Sequence, residues 1–550
     1  MNQQVPTRPG VPEQMVEELA DIVGRDRVLD DPTDLLAYNA DCSPRGIMRA
    51  RGRRLEECQP AVIVQPGHEG DLQELIQWAR RTETPLVAYG AGSGVCLGAV
   101  GDATSVIVDL KRFDQIREVD EENLYVRAEA GVLGTWLERE LQRRGYTMGH
   151  YPSSLYCSSL GGYLAARSAG QYSSRYGKIE DMIQSMRVVT GAGERLVTGP
   201  EPTEEQPVRD TARYGPNLTQ VFVGNEGTLG FITDATLRIE PAPSHQYYRG
   251  FQFATLPEAL EAIRRIMQAG LKPAVVRLYD PFDALTKSGG SEGAGEEGAT
   301  AWMVRLRKMA EEALPDELID EVAGAVDGVR NTVMTEIISR PRLVNTLVDR
   351  FASKSMLIIG FEGTSTLVEA EADWAFDLLS RYGVDLGAEP GLSWRRHRFD
   401  ASYLQSPLFD TGAFVDTMEV STTWSNLENL YRRVRQAVRP HALALAHFSH
   451  VYPEGSSIYF TLVGHRRDTE QSLALHDRIW SSALEAASEA GGSITHHHGV
   501  GALKADWTES DHVGGRRQFE ALKATFDPDG ILNPGKVYPK RSTERDGHQR

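Results

Sequence analysis

The sequence has few cysteines and no long apolar run. Its 550 residues contain four cysteines, Cys42, Cys58, Cys96 and Cys157, and none of them belongs to a Cys-x-x-Cys pair. Such widely spaced cysteines are typical of reduced, mostly structural thiols. No stretch approaches the ~20 apolar residues that cross a bilayer, and the first residues lack the basic and apolar regions of a secretory signal. We therefore expect a cytoplasmic protein with no membrane span.

Positive charge is also scarce. Lys and Arg number 59 against 77 Asp and Glu, which gives a formal net charge of −18. An acidic excess of this size favours solubility and argues against nucleic acid or an acidic membrane as the main partner. A small anionic substrate would require a locally basic site. The hydrophobic fraction of 41% is ordinary for a globular protein, and the length suffices for two or more domains.

The distribution of apolar residues predicts an α+β fold built in several regions. Short apolar runs bounded by Pro or Gly indicate strands, and amphipathic stretches indicate helices. The predicted regions are a helical lead-in at 1–57, a first α+β domain at 58–242, a second at 243–470, a C-terminal helical segment at 471–540 and a disordered tail at 541–550. The segment KSGGSEGAGEEGAT (287–300) predicts a mobile surface loop. No fixed period repeats, which argues against a solenoid or a propeller.

A glycine-rich turn, YGAGSGV (89–95), directly follows a predicted strand. Glycines let backbone N–H groups gather round a phosphate without a Cβ in the way. The dinucleotide-binding fingerprint needs its third glycine where Val95 stands, and the short stretch to the next strand leaves no room for a crossover helix. The chain also lacks the Gly-x-x-x-x-Gly-Lys-Ser/Thr motif, so ATP is not indicated. Taken alone, the turn is as compatible with a plain loop as with a phosphate site.

Three further segments flank this turn in a fixed order. PAVIVQP (60–66) precedes it, and GHYPSSLYCSSLGGYLAARSAGQYSSRYGKIED (149–181) and GNEGTLGFITDATLRI (224–239) follow. With GAGSGVCLG they closely resemble the FAD-binding domain of the p-cresol methylhydroxylase/vanillyl-alcohol oxidase superfamily. The resemblance extends over about residues 25–540 and is greatest to the branch that contains alkyldihydroxyacetonephosphate synthase. The ending FDPDGILNPGK (526–536) is more similar to the glycolate oxidase subunit and D-lactate dehydrogenase branch.

The resemblance implies a particular architecture. Residues 58–242 would form a two-subdomain FAD-binding domain of the p-cresol methylhydroxylase type. Residues 243–470 would form an α+β substrate or cap domain with an antiparallel sheet, and residues 471–540 would return to the FAD-binding domain. The family also implies a homodimer, and it leaves the electron acceptor unknown.

The resemblance assigns several stretches to the cofactor. Gly90–Cys96 is similar to the loop that wraps the FAD pyrophosphate. Ser153–Ser159 and Ala166–Ala169 resemble the second phosphate-and-ribityl stretch, and Glu226–Ile232 resembles the segment near the flavin and the adenine. The predicted cofactor residues are Gly90, Ala91, Gly92, Ser93, Gly94, Val95, Cys96, Ser153, Ser154, Ser158, Ser159, Gly162, Ala166, Arg167, Ser168, Ala169, Glu226, Gly227, Thr228, Leu229, Gly230 and Ile232. Some superfamily members bond the flavin to a His of the first loop, which this loop lacks. We therefore predict non-covalent FAD, with Cys96 as a buried inert thiol.

Three features of the C-terminal half are candidate catalytic residues. They are the run THHHGVG (495–501), Tyr459 in HFSHVYPEGSSIYF (447–460), and Arg277 in AVVRLYD (274–280). Taken singly, each is better explained as a solvated His run, a core aromatic or a surface ion pair. The synthase branch has a similar HHHGVG run, a catalytic Tyr in an Ile-Tyr-Phe setting and an Arg in an Arg-Leu-x-Asp setting. The resemblance thus indicates Tyr459 and His497 or His498, next to His496, as the acid–base set that Arg277 places or polarises.

The substrate and metal motifs of these families are altered. The synthase branch carries a Tyr-Ile-Arg-Asp segment whose Arg contacts the anionic end of the substrate, and the ungapped equivalent here is YLQS (403–406). The Gln405 amide is uncharged and cannot form the two parallel charged hydrogen bonds that an arginine forms with a phosphate. This argues against an acyl-dihydroxyacetone phosphate as the substrate. We assign Gln405 and His450 to substrate binding. In the D-lactate branch His450 would belong to a metal motif that is otherwise broken here, and although imidazoles suit Zn²⁺, we favour a site without metal.

Three functions follow from these assignments. In the first, an FAD-dependent dehydrogenase or oxidase removes a hydride from a C–H next to the hydroxyl of a small hydroxy acid or alcohol, and Tyr459 or a His takes the alcohol proton. The alternative is an alkylglycerone-phosphate synthase-type, redox-neutral exchange of an acyl for an alkyl group on a flavin adduct. The third is a non-enzymatic flavoprotein, which the presence of nearly every catalytic-looking residue disfavours. We expect the first.

Overall fold

A computed structural model describes residues 12–199, 215–287, 338–400, 409 and 412–540. The predicted tail, Gln405 and all but the first residue of the predicted loop 287–300 lie outside these ranges. Within them the chain forms sheets of four, five and seven strands, one two-stranded pair, and helices packed on the sheets. This mixed architecture confirms the predicted α+β class.

The first sheet has four strands in the order β1-β2-β4-β3. Its strands are β1 (Val28–Leu29), β2 (Val62–Val64), β3 (Leu86–Tyr89) and β4 (Val106–Asp109), and its helices are α1 (Glu13–Val23), α2 (Pro32–Ala37), α3 (Pro44–Arg51) and α4 (Glu69–Thr82). β2, β4 and β3 run parallel, and every residue of β2 and β4 is buried, as in parallel sheets covered on both faces. The end of β3 places Tyr89 at the start of the glycine-rich turn.

The second sheet is antiparallel, in the order β5-β6-β10-β8-β9. Its strands are β5 (Ile116–Asp120), β6 (Tyr125–Glu129), β8 (Ile183–Thr190), β9 (Arg195–Val197) and β10 (Gly230–Arg238), while β7 (Tyr146–Thr147) pairs with β11 (Glu240–Pro241). The helices of this part are α5 (Gly134–Arg143), α6 (Leu160–Ala165), α7 (Ser173–Tyr176), α8 (Ile179–Met182) and α9 (Leu218–Phe222). β10 is the central strand in this order, and eight of its nine residues are buried.

The third sheet has seven antiparallel strands in the order β15-β12-β14-β13-β17-β18-β16. They are β12 (His245–Phe253), β13 (Val275–Tyr279), β14 (Ser355–Gly363), β15 (Val384–Asp385), β16 (Ala413–Thr423), β17 (Leu443–Val451) and β18 (Gly455–His465). The remaining helices are α10 (Leu256–Gln268), α11 (Pro281–Lys287), α12 (Pro341–Phe351), α13 (Leu367–Ser380), α14 (Glu389–His397), α15 (Leu427–Val438), α16 (Thr469–Glu489), α17 (Thr508–Asp511) and α18 (Gly515–Phe526).

One face of the third sheet carries the largest apolar cluster of the protein. Helices α10, α13, α15 and α16 cover this face and bury side chains such as Ile263, Leu379, Leu430 and Trp480 against it. Helix α10 begins at a capping box in which Thr255 and Glu258 satisfy each other's backbone N–H. The four helices leave the opposite face of β13, β16, β17 and β18 free to form the wall of a cavity.

Polar contacts join the second and third sheets. The hydroxyls of Tyr172 and Tyr248 lie 2.8 Å apart, and Tyr176 donates to buried Glu362 at 2.8 Å. These bonds tie the segment 172–176, which includes α7, to strands β12 and β14 of the third sheet. None of the helices in the described ranges is both long and apolar enough to cross a bilayer.

Candidate active site

A cavity of about 1050 Å³ lies where the three sheets meet. Its walls come from the glycine-rich loop, the segments around Ser153–Ala169 and Asn225–Ile232, and strands β13, β16, β17 and β18. Ligand sites for small molecules usually measure ~300–1,000 Å³. The cavity therefore suits a large ligand, with space left beside the third sheet.

The glycine-rich loop packs against the Ser153–Ser159 segment so closely that side chains are excluded. A Cβ on Gly90 would stand 2.4 Å from the Ser159 hydroxyl oxygen. Gly92 has φ +68°, and a Cβ there would stand 2.1 Å from the Tyr89 hydroxyl oxygen. Only glycine meets both conditions, and the result is a cradle of bare backbone. Such a cradle fits the dianionic pyrophosphate of the predicted FAD, because backbone N–H groups supply the donors.

Most of the predicted cofactor residues line this cavity. They are Gly90, Ala91, Gly92, Ser93, Gly94, Val95, Cys96, Ser153, Ser154, Ser158, Ser159, Gly162, Ala166, Ser168, Ala169, Glu226, Gly227, Gly230 and Ile232. Arg167, Thr228 and Leu229 do not line it. The Arg167 guanidinium pairs with Glu180 at 3.6 Å, the Thr228 hydroxyl donates to the Asn225 carbonyl at 2.6 Å, and Leu229 is buried in the core.

The Glu226 carboxylate is engaged by the chain itself. It accepts hydrogen bonds from the backbone N–H of Val500 at 2.6 Å and of Gly501 at 2.7 Å. Burial raises its pKa above the ordinary value, against the pull of these two bonds. Glu226 also has φ +51°, an unusual backbone for a residue other than glycine. Its side chain therefore joins the predicted cofactor segment to the end of the HHHGVG run.

The third sheet places the predicted catalytic residues by strand alternation. Tyr459 on β18 pairs in register with His447 on β17, and the two rings stack with centroids 4.7 Å apart. Arg277 on β13 reaches His447, with 3.4 Å from its Nη2 to Nδ1 of the imidazole. Because alternate side chains of neighbouring strands point to one face, these three residues share the cavity wall.

The histidine run approaches this wall from a loop after α16. The ring of His498 lies 5.4 Å from that of Tyr459, and the ring of His497 lies 6.2 Å from it. Both line the cavity, whereas His496 does not. The His496 ring instead packs against the ring of Tyr452, with the two centroids 5.6 Å apart. The structure thus brings Tyr459, His497, His498 and Arg277 together and leaves His496 outside the cavity.

His450 lies at a β-bulge of strand β17. The register shifts between Ser449 and Val451, and His450 itself adopts φ +53°. Its Nδ1 is 2.8 Å from the Ser173 hydroxyl, and its ring lies 4.5 Å from that of His497. Bulges re-aim a side chain, and here the bulge turns His450 into the cavity wall. Its predicted partner in substrate binding, Gln405, lies outside the described residues.

Burial sets the charge of these groups. It lowers the pKa of His496 to about 3 and of His498 to about 4, and lowers the pKa of His450 and His497 well below the ordinary value. Burial also raises the pKa of Tyr459. Near neutral pH His450, His497 and His498 therefore present neutral imidazoles to the cavity, and Tyr459 presents a protonated phenol. Arg277 is the only lysine or arginine that lines the cavity in the described part of the chain.

The N-terminal lead-in contributes wall residues that the sequence analysis did not assign. The lining includes Ala40–Ser43, Gly46 and Ile47. The Asp41 carboxylate accepts from the backbone N–H of Leu97 at 2.7 Å and of Ser43 at 3.0 Å, and Leu97 has φ +63°. Asp41 thereby supports the end of the glycine-rich loop. The pair Asp41 and Ser43 is the signature of a local Asx turn, which does not reveal a contact with Leu97.

A second unassigned group is the pair of Asp283 and His447. The Asp283 carboxylate lies 3.6 Å from Nδ1 of His447, and both line the cavity. Within the ranges that the structure describes, no three His, Cys, Asp or Glu side chains are arranged to hold a metal ion. The imidazoles instead contact one another, Tyr459 and Arg277.

A backbone cradle that fits a pyrophosphate, beside imidazoles and a phenol, is the arrangement expected of a flavin-dependent oxidoreductase. Residues 60–199 match the FAD binding domain family, and residues 242–537 match the C-terminal domain of FAD linked oxidases. The second match spans more than half of the chain. The protein therefore belongs to the FAD-linked oxidases.

Its relatives include both branches expected from the sequence. The chain is 28% identical over 541 residues to alkyldihydroxyacetonephosphate synthase of Dictyostelium discoideum, covering 96% of this chain and 81% of the relative. It is 23% identical over 536 residues to glycolate oxidase subunit GlcD of Bacillus subtilis (strain 168), covering 96% and 97%. These relatives confirm the predicted family resemblance, and they leave the particular reaction open.

Solved structures place the fold in the same superfamily. A structure of alkyldihydroxyacetonephosphate synthase aligns with a TM-score of 0.70 at 26% identity, covering 97% of this chain and 86% of the other. A structure of p-cresol methylhydroxylase aligns with a TM-score of 0.69 at 15% identity, covering 97% and 98%, and thus shares the fold. The p-cresol methylhydroxylase-type architecture is confirmed.

Proposed function

We propose that the protein is an FAD-dependent oxidoreductase that removes a hydride from a C–H bond next to the hydroxyl of a small hydroxy acid or alcohol. The observation that carries this proposal is the gathering of Tyr459, His497, His498 and Arg277 around the cavity that also contains the glycine-rich cradle. When bound, FAD supplies the acceptor for the hydride. The task of the chain is to hold the substrate, orient it and take up the hydroxyl proton.

The side chains divide these tasks by charge. His497 and His498 are neutral near pH 7 because burial lowers their pKa, so either imidazole can accept the hydroxyl proton. Burial raises the pKa of Tyr459, so its phenol keeps its proton and can donate a hydrogen bond to a substrate oxygen. Arg277 is the cationic group on this wall that can pair with the carboxylate of a substrate. A 2-hydroxy acid carries a hydroxyl and a carboxylate side by side and suits this set.

A second function is supported by one different observation, the apolar side of the cavity. Phe282, Ile338, Val415, Leu443 and Val463 line this side and pack in one cluster. Such a wall suits a hydrocarbon chain, which favours the synthase-type exchange of an acyl for an alkyl group. The similarity to alkyldihydroxyacetonephosphate synthases also supports it. The presence of Gln405, where the synthase branch has an arginine, argues against it.

We further propose that the FAD is held without a covalent bond. The first loop has no histidine. Cys96 is 2% exposed, and burial raises the pKa of its thiol, which disfavours the nucleophilic thiolate. Precipitation of the purified protein with acid should leave all of the yellow flavin in the supernatant. Flavin that stays with the precipitated chain would establish a covalent link.

Anaerobic flavin reduction tests the proposed reaction. The holoprotein is titrated with D-2-hydroxy acids, simple alcohols and an acyl-dihydroxyacetone phosphate while the flavin absorbance is followed. We expect a hydroxy acid or an alcohol to bleach the flavin. Bleaching by the acyl ketone phosphate alone would replace the proposal with the synthase reaction, and no bleaching by any member of the panel would favour a non-enzymatic flavoprotein.

A further inference from the structure

The loop that carries the histidine run depends on one buried carboxylate. The Glu419 side chain is fully buried, at 0% exposure. It accepts hydrogen bonds from the Thr495 hydroxyl at 2.8 Å, from the backbone N–H of His498 at 2.9 Å and from the backbone N–H of His496. The loop has no regular secondary structure, and its N–H groups therefore need side-chain acceptors.

Glu419 is held in turn by a buried lysine. Nζ of Lys504 lies 2.9 Å from the Glu419 carboxylate, and both side chains are 0% exposed. Burial opposes the charge of Glu419, but Lys504 and the neighbouring imidazoles outweigh it and lower its pKa to about 2. Burial of an ion pair costs desolvation free energy, and a protein with an apolar pair of the same volume in its place is often as stable. This cost suggests a role beyond packing.

The register of the third sheet connects this pair to Tyr459. Glu419 on β16 stands directly opposite Tyr459 on β18. One strand pair thus carries both the phenol and the acceptor that holds the histidine loop. Glu226 holds the other end of the loop, at Val500 and Gly501. Lys178 donates to the His496 carbonyl at 3.1 Å, and Glu419 accepts from the backbone N–H groups of His496 and His498.

We propose that Glu419 is a positioning residue, whose carboxylate, kept in place by Lys504, sets His497 and His498 against Tyr459 across the cavity. The proposal rests on the proposed function, since it takes these histidines as the acid–base groups. Its structural part stands on the hydrogen bonds of the loop and can be tested without a substrate. The catalytic part predicts a loss of rate with little loss of substrate affinity.

The first experiment replaces Glu419 by glutamine in the holoenzyme. The amide keeps the size of the side chain but presents an NH₂ group to donors and leaves Lys504 without a counter-charge. We expect the rate of flavin reduction by the best substrate to fall about 10- to 100-fold, because misplacement of a catalytic group by about 1 Å has such effects. The Kd of the substrate should change less than about 3-fold. A rate within 2-fold of the wild type would overturn the proposal.

A double variant separates positioning from simple stability. Glu419→Gln with Lys504→Met removes both members of the ion pair, so no buried charge is left alone, and the thermal midpoint should return toward that of the wild type. The rate should stay low, because His496 and His498 still lack their carboxylate acceptor. Recovery of the rate together with the stability would show that Glu419 has only a structural role.

Chemical reactivity of the histidines tests the loop without any substrate. Diethyl pyrocarbonate is added to each holoprotein, and modification of the peptide with His496–His498 is followed by mass spectrometry. We expect faster modification in Glu419→Gln than in the wild type. Glu138→Gln is the matched control, since buried Glu138 accepts from Thr147 and Tyr151 at 2.6 Å and does not line the cavity.

The outcomes of these experiments are distinct. If Glu419→Gln does not fold, Thr495→Val removes one donor to the same carboxylate and should raise the reactivity in the same direction. Equal histidine reactivity in wild type, Glu419→Gln and Thr495→Val would overturn the positioning role. If no substrate reduces the wild-type flavin but the reactivity rises as expected, the proposed function fails while the structural part of the inference holds.

Discussion

Two tyrosines beside the third sheet show how location decides the role of one type of side chain. Tyr431 on α15 donates its hydroxyl to Asp280 at 2.8 Å and packs in the apolar core. Tyr459 on β18 lines the cavity, between the rings of His447 and His498. The first phenol satisfies a buried carboxylate, and the second faces the space where a ligand would lie.

Replacement of Tyr459 by phenylalanine tests this difference. Loss of the hydroxyl removes a hydrogen-bond donor at the substrate oxygen, so we expect the rate of flavin reduction to fall about 10²- to 10³-fold. The FAD content should not change. Anaerobic stopped-flow absorbance measures the rate. The control Tyr431→Phe should keep the rate and lose about 1 kcal/mol of unfolding free energy, the usual value of one hydrogen bond. Equal rates in Tyr459→Phe and the wild type would remove Tyr459 from the mechanism.

At the scale of elements, loops and strand ends form the site more than helices do. The glycine-rich loop is held from three directions, by Asp41 of the lead-in, by Asn533 and by Lys536. Asn533 donates to the carbonyls of Gly98 at 2.9 Å and Glu226 at 2.6 Å, and Lys536 donates to the carbonyl of Leu97 at 2.6 Å. Segments from both ends of the chain therefore support one cofactor loop.

Two glycines with similar backbone conformations test the cradle. Gly92 has φ +68° and no room for a Cβ, whereas Gly193 has φ +82° and no neighbour within 4 Å of that position. Alanine at either site costs about 1 kcal/mol or more for the left-handed backbone. We expect only Gly92→Ala to lose FAD, as measured by the flavin-to-protein absorbance ratio and by titration of the apoprotein. Full FAD content in Gly92→Ala would contradict the cradle.

At the scale of the whole molecule, an acidic protein encloses a cavity with few cationic side chains. The net charge is −18, and in the described part of the chain Arg277 is the one lysine or arginine of the cavity wall, which also contains Asp41, Glu226, Asp283 and Asp416. Burial keeps His150, His496 and His498 in the neutral form near neutral pH. The folded state therefore resists protonation at groups that the unfolded chain protonates near pH 6.5.

This difference predicts the effect of acid on stability. Burial lowers the pKa of His150 to about 3 in the folded state. Between that value and about 6.5 the unfolded state binds one more proton, so the free energy of unfolding falls as the pH falls, by at most about 1.4 kcal/mol per pH unit for this group. His150→Gln should remove this part of the slope. Denaturant unfolding from pH 7.5 to 5 measures it, and parallel curves for the two proteins would contradict the prediction.

Several segments in a fixed order resembled the FAD-binding superfamily, and this resemblance predicted FAD, whereas the glycine-rich turn alone was equally compatible with a plain loop. A phosphate cradle requires small residues at consecutive positions, and this requirement is local. The resemblance also indicated Tyr459 and Arg277, which strand alternation brings to one face. The region boundaries, the homodimer and the cytoplasmic location stay predictions. The sequence itself thus indicated the class of protein, and most of the cofactor residues that it assigned line the cavity.

Tertiary structure decided how these residues are held. Asp41 meets Leu97, Glu226 meets Val500, and Glu419 meets Lys504 and the histidine loop. No periodicity or short motif encodes these pairs, because their partners are dozens to hundreds of residues apart and meet only when the sheets pack. The position of His496 outside the cavity has the same origin, since its backbone contacts Glu419 and Lys178, which are distant from it in the sequence.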